Sequence, residues 1–124
     1  MLFAVNGTLM RGLELNDNML RAGAAFVREA ETAPVYRLWS IGDRHPGMVR
    51  VSRGGGAVRL ELWEVNPEGL VSIIEAEPAG LSVGRVLLAD GATVLGVLAE
   101  PVLTENQREI TQHGGWREYL SSRG

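Results

Sequence analysis

The 124-residue sequence contains no cysteine, no lysine and only two histidines, His45 and His113. Without cysteine the chain can form neither disulfides nor thiolate metal sites, and two histidines argue against a histidine-rich metal centre. The absence of lysine excludes both a Schiff-base lysine and the lysine of a phosphate-binding P-loop. We therefore predict chemistry that uses neither a metal nor an organic cofactor.

Strong charge of one sign and long apolar runs are also missing. The net charge is −3, and acidic and basic residues are interspersed, so no basic stripe predicts a nucleic-acid partner. No apolar run is long enough to span a membrane, and the N-terminus lacks the pattern of a signal peptide. Basic residues that are all arginine are typical of a GC-rich, bacterial coding sequence. We expect a bacterial, cytoplasmic protein without nucleic-acid or membrane partners.

Apolar runs bounded by glycine and proline predict that strands dominate. The strands are predicted at residues 2–6, 24–31, 35–41, 48–51 and 57–65, followed by a hairpin of residues 85–88 and 92–98. In the strand 57–65, Glu61 and Trp63 lie on the face opposite Leu60 and Leu62. Residues 42–47 are predicted to form a loop.

Helix signals are fewer. Asn66-Pro67 predicts an N-cap and the first position of a central helix of about two turns, and Pro78 ends it. Asn16 or Asp17 is predicted to cap a short helix at residues 18–22. The combination predicts the α+β class, with a small mixed β-barrel and short helices in one domain over the whole chain.

The first strand ends in residues suited to holding a ligand. The apolar run stops at Asn6 and Gly7, and Thr8 and Leu9 follow. A strand that ends in glycine leaves successive backbone N–H groups unpaired, and such a nest binds a carboxylate or carbonyl oxygen. Asn-Gly is also an ordinary turn signal, so a plain turn is the alternative.

Glu77 is the candidate general acid or base. It lies four residues after Ile73 and three after Ile74, which places it on the apolar face of the central helix. A carboxyl group that loses water near a helix C-terminus has a raised pKa, and a pKa near neutrality suits proton transfer. The alternative is a solvated, frayed helix end. His45, in the predicted loop 42–47, is a further candidate for ligand contact.

The order of these segments resembles the gamma-glutamylcyclotransferase-like family. Its members open with a strand and a Tyr-Gly-Ser-Leu motif, and Asn6-Gly7-Thr8-Leu9 stands at that place. A strand like residues 36–39, a loop like residues 45–48 and a strand like residues 60–65 follow in the same order. The family's catalytic glutamate lies at the end of the next helix, where this chain has Glu77. The resemblance implies attack of a small ligand on its own amide, with loss of an amine.

The sequence is also similar to the C-terminal domain of allophanate hydrolases, which has the same fold. The cues are residues 5–9, 32–38 and 87–91, and the most specific is Glu-Ile-Thr-Gln-His-Gly-Gly-Trp-Arg-Glu-Tyr-Leu at residues 109–120. This likeness covers nearly the whole chain. It implies a free-standing relative of that domain, because the Ser-Ser-Lys machinery of the amidase part is absent.

Two positions depart from these families. Asn6 replaces the tyrosine of the cyclotransferase motif, and Thr8 stands where the hydrolase domains often carry a histidine tied to a decarboxylation step. Thr8 therefore argues against decarboxylase activity. Glu77, by contrast, favours cyclotransferase-like acid/base chemistry.

Two functions from different classes remain open. In the first, the chain is an enzyme that binds a small amide or carbamate through the backbone amides of Gly7, Thr8 and Leu9. Asn6 and His45 are then further ligand contacts, and Glu77 is the general acid or base. In the second, the chain is a non-catalytic accessory or assembly module, whose partner is an amidase or a second copy of the same chain.

Overall fold

The computed structural model describes residues 1–123 and has an α+β architecture. Within that range eight strands form two sheets: β1 (Leu2–Val5), β2 (Ala25–Glu31), β3 (Tyr36–Ile41), β4 (His45–Arg50), β5 (Arg59–Glu64), β6 (Leu81–Leu87), β7 (Thr93–Ala99) and β8 (Arg108–Glu109). The same range holds the α-helices α1 (Asn16–Arg21), α2 (Pro67–Glu75) and α3 (Trp116–Arg123), and 3-10 turns at Pro101–Thr104 and Thr111–His113.

The larger sheet has the strand order β2-β5-β1-β7-β6. β1 lies at its centre, antiparallel to β5 and parallel to β7. Phe3, Ala4 and Val5 are consecutive and all buried, as in a strand that is covered on both faces. The central position of β1 carries the next residues, Asn6 to Leu9, into the interior of the molecule.

The predicted β-barrel is wrong, because the larger sheet is curled but open. At one end its edge strands approach each other, and the Ala33 N–H donates to the Leu87 carbonyl at 3.0 Å. Within residues 1–123 no ladder continues between β2 and β6. Hydrophobic periodicity predicts strands, but closure depends on strand tilt and stagger, which that pattern does not encode.

The smaller sheet has the order β4-β3-β8. β3 pairs with β4 from Tyr36 opposite Arg50 to Ile41 opposite His45. The predicted loop 42–47 is therefore wrong in its second half, since β4 begins at His45 and includes Pro46. Proline lacks an N–H donor, and β4 tolerates it because it is an edge strand of its sheet.

A tight turn joins β3 to β4 and leads directly to His45. Gly42 and Asp43 have positive φ angles of 59° and 57°, and the Arg44 N–H donates to the Ile41 carbonyl at 3.0 Å. This is the geometry of a β-turn whose two central residues both need positive φ. Helix α3 holds the turn in place.

The contact between α3 and this turn is a hydrogen bond from the Tyr119 hydroxyl to the Asp43 carboxylate at 2.8 Å. Arg123 lies 3.6 Å from the other carboxylate oxygen. The hydroxyls of Ser40 and Tyr119, followed by the charges of Arg123 and Arg108, hold the pKa of Asp43 below its usual value. The end of the chain thus helps to fix the approach to β4.

The central helix begins as predicted. The Asn66 side chain accepts a hydrogen bond from the Gly69 N–H at 2.7 Å, and Pro67 occupies the first helical position. The predicted cap of the short first helix is wrong, because α1 already begins at Asn16 and has no side-chain cap. Asn16 instead donates its side-chain amide to the Leu9 carbonyl at 2.9 Å, which ties α1 to the loop after β1.

Candidate functional site

The loop after β1 carries backbone donors that the protein itself does not use. Gly7, Thr8 and Leu9 are buried, and their N–H groups make no hydrogen bond to residues 1–123. The Gly7 carbonyl accepts the Met10 N–H at 3.0 Å, so the segment is a turn as well. Buried backbone N–H groups are normally paired. Free donors in succession therefore mark a place for an oxygen acceptor.

Glu77 presents a partly dehydrated carboxyl group. It lies two residues beyond the end of α2, and its N–H donates to the Ile74 carbonyl at 3.1 Å. Its Oε2 atom is buried and has no hydrogen-bond partner in the described part of the chain. Burial raises the pKa of Glu77 from 4.5 to about 7, because the ionised form loses water. The predicted position on the helix face is wrong, because α2 ends at Glu75. Glu77 is half-buried, and one of its carboxylate oxygens is withdrawn from solvent.

Asn6 and His45 are both buried and both anchored. The Asn6 side-chain amide donates to the Val97 carbonyl at 3.0 Å, which leaves Oδ1 as the free acceptor. His45 Nδ1 lies 3.1 Å from the Pro46 carbonyl. A carbonyl only accepts, so this contact selects the forms of the ring that carry a proton on Nδ1.

One small cavity brings all the predicted site residues together. It is lined by Val5, Asn6, Gly7, Thr8, Leu9, His45, Pro46, Glu77, Leu81 and Val97, and its volume is about 10 Å³. That is the space of roughly one water molecule. The backbone of residues 7–9, the Asn6 side chain and the Glu77 carboxyl group, whose pKa is about 7, thus line a space that admits a single oxygen or nitrogen atom. The remaining walls are apolar.

Gly7 is required at this cavity by close packing. A Cβ atom at position 7 would lie 2.6 Å from Cδ and 2.7 Å from Cγ of Pro46, well inside contact distance. The loop after β1 and the start of β4 therefore fix each other's position. This contact places the backbone donors of the loop beside the His45 ring.

The cavity adjoins an outer hollow of about 220 Å³. The outer hollow is lined by Thr8, Glu14, Leu15, Arg44, His45 and Pro78. Thr8 and His45 line both spaces, and Pro78 directly follows Glu77. The two spaces therefore lie side by side and share part of their lining.

A separate groove of about 430 Å³ lies along β2 and β5, away from Glu77. Its deepest carboxylate, Glu61, is 2% exposed and already accepts the Arg11 Nε at 3.1 Å and the Trp63 Nε1 at 3.1 Å. Arg117 adds a third contact at 3.3 Å. Since these charges are paired within the protein, we assign them a structural role and not a ligand-binding one.

Sequence reasoning missed Arg44 and Glu14, which line the outer hollow. Arg44 directly precedes His45, so the positive-φ turn at Gly42 and Asp43 is the signal that places it. No local pattern predicts Glu14, because its position depends on how the loop after β1 folds back. Among residues 1–123, no group of three or more His, Asp or Glu side chains is arranged to hold a metal ion.

The fold defines a class of protein. The architecture is gamma-glutamylcyclotransferase-like, and an AIG2-like protein from Mus musculus with 22% sequence identity shares it at a TM-score of 0.63, over 82% of this chain and 77% of that one. None of the helices in the part of the chain that the structure describes is long and apolar enough to cross a membrane.

Within that class, the chain belongs to the family of allophanate hydrolase C-terminal domains, whose profile matches residues 1–121. A uropathogenic Escherichia coli-specific protein is 59% identical, with a TM-score of 0.95 over 97% of this chain and 94% of that one. Kluyveromyces lactis allophanate hydrolase is 26% identical, with a TM-score of 0.92 over 99% of this chain and 21% of that one.

The curated relatives are much longer than this chain. Urea amidolyase from Saccharomyces cerevisiae is 27% identical over 94% of this chain, which corresponds to 7% of that protein. In these relatives the domain is thus one part of a larger allophanate hydrolase or urea amidolyase.

Proposed function

We propose that the protein is an enzyme that acts on a small amide or carbamate, with Glu77 as its general acid/base. The observation that carries this proposal is the buried Oε2 of Glu77, which has no partner among residues 1–123 and belongs to a residue that lines the same cavity as residues 7–9. An unpaired buried carboxyl group costs free energy. Such a cost is typical of functional sites, where perturbed pKa values cluster.

The free backbone donors have a role that complements Glu77. A ligand carbonyl oxygen fits the one-atom cavity and accepts hydrogen bonds from the amides of residues 7–9. When a nucleophile attacks that carbonyl, negative charge develops on the oxygen, and fixed N–H dipoles stabilise it. Because these donors are bound to nothing else in the protein, they need no rearrangement to act.

The reaction proposed is a cyclotransferase-like amide exchange. An amine nitrogen of the ligand attacks the ligand's own carbonyl carbon, and ionised Glu77 takes the proton from that nitrogen. The new C–N bond forms while the oxygen charge rests on the amides of residues 7–9. Glu77 then gives the proton to the leaving nitrogen, the old C–N bond breaks, and an amine departs. A pKa of about 7 lets one carboxyl group perform both transfers.

The first prediction tests this role directly. Glu77→Gln should lower the rate of amine release from a panel of gamma-glutamyl amides and carbamates by about 10²–10⁴-fold, because general acid/base help is lost. Ligand binding should be largely retained, since the amides of residues 7–9 are unchanged. Released amine is measured with a fluorogenic reagent.

Glu75→Gln is the matched control, because Glu75 is exposed and lies two residues earlier, at the end of α2. The control should keep full activity. A Glu77→Gln enzyme that still turns over at the wild-type rate would show that another group moves the proton.

The second candidate function is an accessory or assembly module for an amidase. It is favoured by the longer relatives, in which the domain covers only 21% of the allophanate hydrolase chain. The two functions separate experimentally. The module should raise the activity or stability of a co-expressed amidase even when Glu77 is changed to Gln, whereas the enzyme should act alone and lose its activity with that change.

A further inference from the structure

We infer that Arg44 determines substrate specificity by binding an anionic group of the ligand in the outer hollow. This inference rests on the proposed function, in which the carbonyl oxygen at one end of the ligand lies in the cavity beside Glu77. The inference concerns the other end of the ligand. It assigns a residue to that other end: Arg44 contacts the carboxylate or similar anion that a small amide ligand carries. Nothing in the family match assigns a role to Arg44.

The volumes require a ligand that occupies both spaces. The cavity beside Glu77 holds about 10 Å³ and the outer hollow about 220 Å³. A single atom fits the first, so almost all of the ligand lies in the second. Thr8 and His45 line both spaces, so the two spaces lie side by side. A ligand that extends from one into the other has its non-reacting end among the groups that line the outer hollow.

Arg44 is the one cationic side chain on the outer hollow, and its guanidinium group makes no ion pair or hydrogen bond to residues 1–123. The two arginines that line the groove along β2 and β5 are committed instead: Arg117 binds Glu61, and Arg59 binds Glu118 at 3.1 Å. A planar guanidinium group with free donors matches a carboxylate in shape and charge. The turn at Gly42 and Asp43, held by α3, keeps Arg44 next to the site.

Glu14 places a negative charge on the same hollow and opposes the binding of an anion there. It therefore provides an internal control for the role of Arg44. It also lines the outer hollow, is exposed, and has no ion pair or hydrogen bond within residues 1–123. If an anion binds at Arg44, Glu14 repels it. If the hollow instead prefers a cation, Glu14 is the binding group. A role for Arg44 therefore predicts that an anionic ligand binds more tightly than a neutral one, and a role for Glu14 predicts the reverse.

The test uses two matched probes, succinamate and succinamide, which share an amide and differ in whether the far end is a carboxylate or a second amide. Binding is followed by NMR through the backbone amides of residues 7–9 and the Arg44 side-chain Nε–H. We expect wild-type protein to prefer succinamate by about tenfold, the effect of one charge-assisted hydrogen bond at a partly exposed site. The preference should shrink at about 0.5 M salt.

Two variants decide between the outcomes. Arg44→Gln should abolish the preference for succinamate, and Glu14→Gln should increase it. A preference that survives Arg44→Gln, or that reverses in favour of the neutral probe, overturns the role of Arg44. Both residues are exposed, and their circular dichroism spectra and melting temperatures should match those of the wild type.

The same titration distinguishes failure of this inference from failure of the proposed function. Shifts at residues 7–9 without any dependence on Arg44 overturn the specificity role and leave the proposed function standing. Shifts at Arg44 alone, with residues 7–9 silent, support the anion contact and contradict the carbonyl site. If neither group of signals responds to up to about 50 mM of either probe, both proposals are wrong.

Discussion

At the scale of single residues, the buried carboxyl group of Glu77 carries a free-energy cost in the folded protein. Its pKa is raised from 4.5 to about 7 in the folded protein, so the folded state binds a proton that the unfolded state releases between these pH values. The stabilising effect of that proton is complete below pH 4.5 and is lost as pH rises through 7. The free energy of unfolding should therefore fall over that interval.

Glu77→Gln is predicted to remove this pH dependence. Relative to wild type, the variant should gain stability as pH increases from about 4.5 to 7, by on the order of 1–3 kcal/mol, and the gain should level off above pH 7. Urea denaturation at a series of pH values measures it, with Glu75→Gln as control. Parallel stability curves for Glu77→Gln and wild type would mean that the carboxyl group titrates normally.

Residue chemistry was partly predictable from the sequence. The spacing of Glu77 from Ile73 and Ile74 predicted a position on the apolar face of the central helix, but α2 ends at Glu75, so the helical position was wrong. Only the burial of Glu77 Oε2 agrees with that expectation. Asn66 was predicted correctly as a cap because its signal is local. Glu61 was placed opposite Leu60 and Leu62, but strand periodicity gave no sign that this second face is also buried, since that burial comes from parts of the chain distant in sequence.

At the scale of elements, the contact between the loop after β1 and the start of β4 organises the candidate site. The sequence predicted the strand before Gly7 but placed His45 and Pro46 in a loop. Proline argues against a strand in local terms, and only the pairing of β4 with β3 at the edge of the smaller sheet explains its presence. Register and edge position are properties of the assembled sheet.

Gly7→Ala tests this contact. The added methyl group would overlap the Pro46 ring, with distances of 2.6 and 2.7 Å to Cδ and Cγ, and should lower the unfolding free energy by about 1–3 kcal/mol. Shifted amide resonances at positions 8 and 9 should accompany the loss, together with reduced amine release.

Gly115→Ala is the control for this substitution, because the atom nearest to the added methyl group is the carboxylate end of Glu118, a side-chain end that can shift together with its exposed partner Arg59. It should be tolerated. If Gly7→Ala proves equally mild, the loop and β4 are not tightly coupled, and Pro46 moves freely.

At the scale of the whole molecule, a buried carboxylate joins three parts of the fold. Glu61 on β5 accepts hydrogen bonds from Arg11 in the loop after β1 and from Arg117 on α3. Removing one partner of a buried, hydrogen-bonded charge leaves the others unsatisfied. The network therefore couples the loop after β1 to helix α3.

Glu61→Ala should destabilise the protein by about 3 kcal/mol, at the lower end of the range for buried pairs because Arg11 and Arg117 keep some contact with water. Glu29→Ala, which removes an exposed partner of Arg11, should cost less than about 1 kcal/mol. Thermal and urea unfolding compare the two. Equal losses would show that the buried position of Glu61 adds nothing.

The order of segments predicted the family and the α+β class, because that order extends over nearly the whole chain. It did not predict an open sheet. Whether β2 and β6 form a ladder depends on the combined twist and stagger of five strands. The sequence of any one strand does not predict that combination.

The unpaired carboxyl group at position 77 sets up a conflict between evolutionary pressures. A methionine or leucine there would fill the same space without any desolvation cost, so selection for heat resistance alone would favour losing the acid. Where a lineage keeps glutamate at position 77, selection for a property other than stability has to maintain it. Comparing which residues descendants accept at position 77 would thus separate lineages that preserve a chemical role from lineages that retain only a scaffold.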